Sequence, residues 1–388
     1  MSLENVLKKI NKDYNETSLV QMGVPSLSVK ETFSLGTPGF DFCTYNSIPR
    51  GIFIEVTGGE GSGKTTGAYL LASSYIRSEK LKPVEKRQHI LFVDAEHTAN
   101  PSWAMASTGY DMNDGEIRTI YLAPLGQSAE QIFDMTLELT KTGEIGLIIF
   151  DSLTAISAQQ VNDESMTKKD MGTMAKVMAD FVRRSTGVFA RYNTTFIGIN
   201  GLITNISGYG NPETTGGGTY WRRACSLRLK FKQGDFFDEN GDTLKKTAED
   251  PKGHIIEMAL LKSKFCRSDR RLGRCHLDYT RGIDVLSDTI DLAVHFNIIQ
   301  NPSSGWYVMV NPTTNEPLVD DAGKPVKING KAKIRPYLEN HLDLWREIYN
   351  KVYEYISRKD DPNIVSFEKM LGINVEETFG VSFNEEAQ

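Results

Sequence analysis

In residues 3–12, LENVLKKINK, the apolar side chains Leu3, Val6, Leu7 and Ile10 recur at helical spacing, with lysines on the other face. A short amphipathic helix cannot bury that stripe alone, so it either folds back on its own domain or docks on a neighbour. From Gly51 onward, short β-rich runs alternate with helical ones. Strands are predicted at 52–57, 90–93, 118–121, 146–150 and 194–200, and helices at 64–78, 101–108, 128–142 and 171–190. This alternation predicts an α/β fold with a mostly parallel sheet. Further strands at 226–231, 255–262 and 275–279 have no helices between them and predict an antiparallel extension on one edge. Past residue 285 the pattern becomes helix (286–298), a Gly-Trp-Tyr strand region (305–310) and helix (341–357), which reads as a small α/β domain. The predicted division is 1–34, 35–285 and 286–388. The final stretch, NVEETFGVSFNEEAQ, holds four glutamates and no lysine or arginine, which predicts a mobile acidic tail.

The 388 residues correspond to two or three domains at ~150 residues each. The chain is 39% hydrophobic and 24% charged, the balance of an ordinary globular protein. No apolar run approaches the ~20 residues of a membrane span. The opening MSLENVLKKINKDYN carries acids and no apolar core, unlike a secretory signal, so a cytoplasmic protein without membrane partners is expected. Cys43, Cys225, Cys266 and Cys275 lack CxxC spacing, which favours reduced, buried thiols over a disulfide framework or a zinc site. With 44 basic and 50 acidic residues the net charge is −6, which argues against nucleic-acid binding over the whole surface but permits a local basic patch.

The chemistry concentrates in Gly58-Gly59-Glu60-Gly61-Ser62-Gly63-Lys64-Thr65, followed by Thr66, which fits G-x-x-x-x-G-K-[ST] between a strand and a helix. Glycines let the backbone wrap so that consecutive N–H groups face phosphate oxygens, and the following helix aims its positive end at the same anion. Lys64 is placed to neutralise the β- and γ-phosphates, and Thr65 to bind Mg²⁺. Asp151 ends the apolar run 147–150 at the sheet edge where α/β ligands bind, which suits a second metal-holding oxygen, although a helix cap fits the same position. Asp94 and Glu96 follow the strand 90–93; Glu96 suits a base for an attacking water, and capping suits Asp94 equally.

Lys262 and Lys264, two apart on a strand, share a face and suit either an anion or water. The stretch 201–219 holds six glycines in 19 residues, and 161–170 forms a second polar loop. Lys176 and Arg183 are seven apart on one helix face. Arg222, Arg223, Arg228, Lys230 and Lys232 follow the glycine loop, as a basic patch or a solvated face.

In order and spacing, GGEGSGKTT, FVDAEHTANPSWA, LIIFDSLTAI, KKDMGTMAKVM, FIGIN, GYGNPETTGGG, LLKSK, LDYTRGID and GWY resemble the bacterial RecA recombinase family over about residues 3–310. The resemblance implies a RecA-type core, an N-terminal helix that docks on the next protomer, and a small C-terminal domain. It implies a DNA-dependent ATPase that uses ATP and Mg²⁺, forms helical homo-oligomeric filaments on single-stranded DNA, and exchanges strands with homologous duplex DNA. Single-strand-binding and loader proteins are implied partners.

On that resemblance Glu96 is the catalytic glutamate, and Asn100, Trp103 and Tyr279 hold the adenine. Lys262 and Lys264 reach the neighbour's γ-phosphate. The loops 161–171 and 201–219 bind DNA, with Met171, Gly172, Lys176 and Arg183 around the first and Ile206, Asn211, Thr215, Gly216 and Gly217 on the second. Three features depart from the family. Gly201 stands where the family has a glutamine that senses the γ-phosphate, the second loop is about one residue shorter, and Arg223 replaces an interface aromatic. These departures imply a diverged member, with a bacteriophage origin as one reading. Two rival readings share the core: a hexameric ring helicase, and a single-strand-binding protein that uses ATP only as an assembly switch.

Overall fold

A computed structural model describes residues 2–13, 31–157, 171–204, 213–245, 247–358 and 364–383. The chain divides into two units, Met1–Thr32 and Phe33–Gln388. In the first, helix α1 (Leu3–Asp13) is amphipathic and buries none of its residues; Leu3 is 63% exposed.

In the second unit, α2 (Pro38–Thr44) precedes strand β1 (Phe53–Gly58), α3 (Lys64–Lys80), β2 (His89–Asp94), α4 (Pro101–Thr108), β3 (Thr119–Leu122), α5 (Ala129–Lys141) and β4 (Ile145–Asp151). Then come α6 (Met171–Tyr192), β5 (Thr195–Asn200), a hairpin of β6 (Leu202–Thr204) and β7 (Glu213–Thr215), and the short helix α7 (Gly218–Ala224). The strands β8 (Leu227–Phe237), β9 (Thr243–Leu244), β10 (Gly253–Ser263), β11 (Leu272–Asp278) and β12 (Gly282–Ile283) complete the main sheet. Its order is β12-β11-β10-β8-β1-β5-β4-β2-β3, with β9 on β8. Strands β8 through β3 pair in parallel, whereas β8–β10, β10–β11 and β11–β12 pair antiparallel. The parallel core and its antiparallel edge are those predicted from the sequence.

The central strands are apolar on both faces because both are covered. Every residue of β1, β4 and β5 is buried. On one face α3 contributes Tyr69, Leu70, Ala72 and Tyr75 to the core. On the other, Phe133 of α5, Phe181 and Phe189 of α6 and Trp221 of α7 surround Phe53, Phe150 and Phe196. Truncating a core phenylalanine such as Phe196 to alanine costs about 3–5 kcal/mol. Helix α5 starts where the sequence supplies a capping box: Ser128 accepts from the Gln131 amide, and the Gln131 side chain accepts from the Ser128 amide.

The C-terminal elements are α8 (Val285–His295), an antiparallel sheet of β13 (Ile299–Ser303), β14 (Trp306–Met309) and β15 (Lys327–Asn329), and helices α9 (Ile334–Glu339), α10 (Leu342–Ile356), α11 (Phe367–Leu371) and α12 (Val375–Phe379). Their apolar side chains share one cluster with Phe42, Ala259, Leu261 and Leu272. All four cysteines are free thiols; Cys43, Cys225 and Cys275 are buried and Cys266 half-buried. Burial pushes the thiol pKa of those three upward. Among the described residues no helix is long and apolar enough to cross a membrane.

Candidate functional site

β1 delivers the chain to Gly58 at the sheet's C-terminal edge, where Gly61 and Gly63 take φ of +66° and +89°. Only glycine enters that region without strain, so the turn closes and α3 begins at Lys64. The Lys64 Nζ donates to the Gly59 carbonyl at 2.7 Å. Ser62 Oγ, inside the turn, is buried without a hydrogen-bond partner. Burial lowers the Lys64 pKa, opposed by Asp151, Glu96 and Glu60. A polyanion would replace the lone carbonyl as its partner.

Asp151 ends β4 in register with Asp94 at the end of β2. Thr65 Oγ1 donates to Asp151 Oδ2 at 2.9 Å. A hydroxyl and a carboxylate oxygen side by side suit Mg²⁺, which shares few protein oxygens with phosphate and water. Burial, with Glu96 and Asp94 nearby, pushes the Asp151 carboxyl up to about 6, although Thr65 and Lys64 favour its ionised form.

Asp94, which ends β2, and Glu96, two residues on, have different partners. Asp94 accepts from the Thr98 and Ala99 amides and from the Tyr121 hydroxyl, so it shapes the turn. Glu96 is exposed and accepts from Ser152 Oγ, which also pairs with Thr154 Oγ1 at 2.9 Å. The Ala95 and Glu96 amides both donate to the Asp151 carbonyl, tying the turn that carries Glu96 to the end of β4. Asn100 caps α4 by accepting from the Trp103 amide at 2.9 Å. Trp103 is 37% exposed and its Nε1 donates to Thr66 Oγ1 at 3.3 Å, beside the phosphate turn. Helix α4 packs against β12, so the turn holding Tyr279 lies alongside; Tyr279 is 46% exposed, with its hydroxyl on His254 Nδ1.

Lys262 is the penultimate residue of β10 and Lys264 follows the strand. Lys262 Nζ donates to the carbonyls of Arg222 (2.8 Å) and Arg223 (3.1 Å), and Lys264 Nζ to those of Arg223 (2.8 Å) and Ala224 (3.3 Å). Lys176 and Arg183 are exposed on α6; Arg183 pairs with Asp180 and lies over the Tyr220 ring. Gly172, the second residue of that helix, is exposed. Gly216 accepts through its carbonyl from Asn200, Gly217 caps α7, and Thr215 Oγ1 is buried without a partner. Ile206, Asn211 and the Met171 side chain lie outside the described residues, as does most of the loop 161–171.

The basic run at 222–232 is neither a patch nor a solvated face throughout. Arg228 is buried on Glu55, and Lys230 and Lys232 donate to the Phe379 and Thr378 carbonyls. Glu55 is a site residue that sequence reasoning missed. It lies three residues before Gly58 and accepts from Arg228 Nε, Asn200 Nδ2 (2.9 Å) and Trp221 Nε1 (2.9 Å). A lone acid inside the otherwise apolar 52–56 was the available signal. Ser152 was also missed, and nothing in its sequence position marks it.

The family model for the RecA N-terminal domain matches residues 1–283. Protein RecA of Phytoplasma mali is 28% identical over 359 residues, spanning 92% of this chain and 94% of that protein. Protein RecA of Clostridioides difficile is 26% identical over 362 residues, spanning 93% of each. Protein RecA of Borrelia hermsii is 28% identical over 366 residues, spanning 93% of this chain and 92% of that protein.

Proposed function

Because this chain belongs to the RecA family of recombinases, we propose that it is an ATP-dependent recombinase that assembles on single-stranded DNA and exchanges strands with homologous duplex. The observation that carries this reading is the Thr65–Asp151 pair beside Lys64, with Glu96 held by Ser152 at the same sheet edge. The backbone amides of Gly58–Gly63 and the Lys64 ammonium grip the β- and γ-phosphates. Thr65 and Asp151 hold Mg²⁺, which when bound neutralises charge on those phosphates. Glu96 orients the attacking water and takes its proton, and the Ser152 hydroxyl fixes the carboxylate for that task. Trp103 and Tyr279 are aromatic faces for the adenine.

Lys262 and Lys264 serve the neighbouring copy's γ-phosphate, so one nucleotide is clasped from both sides of a protomer joint. The exposed apolar stripe of α1 supplies a second contact between copies. Lys176 and Arg183 contact DNA phosphates, and the loops 161–171 and 201–219 hold the bases.

The test is strand exchange between homologous DNAs with and without ATP, beside a Lys64→Ala control. ATP-dependent joint products with the native chain and none with the variant are expected. ATP-independent pairing by Lys64→Ala overturns the scheme. Closed six-membered rings on single-stranded DNA, seen by electron microscopy in place of continuous filaments, transfer the reading to a helicase. Negligible DNA-stimulated turnover transfers it to an assembly switch.

A further inference from the structure

The last turn of α4 lines a groove of about 760 Å³ whose other walls come from α3, the segment 281–285 and α10. No residue of the phosphate turn lines it, nor do Asp94, Glu96 or Asp151. Cavities of roughly 300–1,000 Å³ are the class that holds one small molecule. We propose that this groove binds a small amphiphilic anion: a flat, apolar, ring-bearing body that ends in a carboxylate, sulfonate or phosphate. The proposal goes beyond the recombinase reading and does not depend on it.

The walls supply the apolar half of the site. Leu70 of α3, Met105 of α4, Ile283 of β12, and Trp345 and Tyr349 of α10 line the groove. Met105 is 56% exposed, so its thioether is open to an occupant. The Trp345 and Tyr349 rings meet edge to face at 6.3 Å, and aromatic walls of this kind pack well against another flat ring. Trp345 Nε1 is buried and has no acceptor. A buried indole N–H ordinarily has one, and an oxygen of the occupant would supply it.

Charge supplies the other half. Arg77, Arg281 and Arg346 line the groove, and no Asp or Glu does. Arg77 donates to Ser73 Oγ at 2.7 Å and makes no ion pair among the described residues. Its charge reaches the buried Asp41, but the oxygens of that carboxyl are already held by the Ser34 and Tyr353 hydroxyls and the Leu35 amide. Arg281 lies 3.9 Å from Glu339 and Arg346 lies 3.7 Å from Asp343, as exposed pairs that hold little energy. Three guanidinium forks therefore face one apolar groove with donors to spare, and such forks match carboxylate or phosphate oxygens two at a time. The C-terminal end of α4 carries partial negative charge, which directs the anionic head toward the arginines and the ring toward Met105.

Titration of the full chain with anilinonaphthalene sulfonate, read by dye fluorescence, tests the site. One saturable site is expected, and the uncharged phenyl naphthylamine should bind it about tenfold more weakly, the loss of one charge-assisted contact. Ala106 is an exposed wall residue, so Ala106→Trp fills the groove without entering the core. That variant is expected to lose about tenfold in dye affinity. The exposed pair change Arg281→Glu/Arg346→Glu is expected to lose about as much, while Lys64→Ala binds the dye like the native chain. Circular dichroism melts establish that each variant is folded. Native affinity in Ala106→Trp, or in the arginine variant should the first not fold, places the dye elsewhere and overturns the site. Equal affinity for the two dyes overturns its anionic character. Loss of binding in Lys64→Ala assigns the dye to the phosphate turn and overturns the proposal as well.

Discussion

Thr65 and Asp151 lie 86 positions apart in the chain, yet the threonine hydroxyl donates to the carboxylate at 2.9 Å. The fold thus brings the hydroxyl and the carboxylate together by itself, with an unfavourable electrostatic cost. Burial raises the Asp151 pKa to about 6. The folded chain therefore keeps a proton that the unfolded chain releases near pH 4. This contribution to stability is full at low pH and is lost as pH rises through about 6. Asp151→Asn is expected to raise the melting temperature by a few degrees at pH 7.5, about 3 kcal/mol, and to abolish Mg²⁺-dependent ATP turnover. Calorimetry at pH 5.0 should show a smaller gain. A variant less stable than the native chain at pH 7.5 contradicts the argument.

Glu96→Gln keeps the size and the acceptor for Ser152 but cannot take a proton. ATP turnover is expected to fall at least about 100-fold, the lower range for general-base loss, while nucleotide-dependent DNA binding persists. Ser152→Ala removes one bond to a charged group and is expected to lower turnover about tenfold, in keeping with ~1.5 kcal/mol. Steady-state turnover and oligonucleotide binding separate the two effects. Brisk turnover by Glu96→Gln would remove it from the base role.

Much of the sheet was legible because a strand covered on both faces is a continuous apolar run, as in 147–150, with its polar residue at the ligand edge. The phosphate turn was legible because its glycines and Lys64 act locally. The Glu55 cluster was not. Its partners Asn200, Trp221 and Arg228 are 145, 166 and 173 positions away, and spacing tells which face a residue occupies but not what covers it. The same holds for Lys230 and Lys232. Strand alternation puts them on one face, but the segment that covers it, at Thr378 and Phe379, comes 146 and 149 positions later.

Glu55→Ala would remove the carboxylate that pairs with the buried Arg228 and leave the Trp221 donor unpaired, while Asn200 keeps its bond to the Gly216 carbonyl. Unfolding in urea should show a loss of about 3–5 kcal/mol, the cost of breaking a buried pair. Glu55→Gln keeps the hydrogen bonding of Asn200 and Trp221 and is expected to lose less. Equal losses in the two variants would mean that the charge itself carries the whole effect.

The apolar stripe of α1 predicts a clean separation of activities. A chain lacking residues 2–13 is expected to bind a fluorescent ATP analogue as the native chain does, within about twofold, because the phosphate turn lies in the other unit. Sedimentation with nucleotide and DNA is expected to show no long assemblies. Normal assembly by the shortened chain would assign the stripe to its own protomer.

The state of the four thiols has a practical side. Cys43, Cys225 and Cys275 are closed to solvent and hard to deprotonate, so maleimide dyes attack them slowly. Replacing Cys266 alone gives a background on which a single introduced surface cysteine takes the dye. A donor at one loop and an acceptor on a neighbouring copy could then follow assembly one molecule at a time, in air and without reductant.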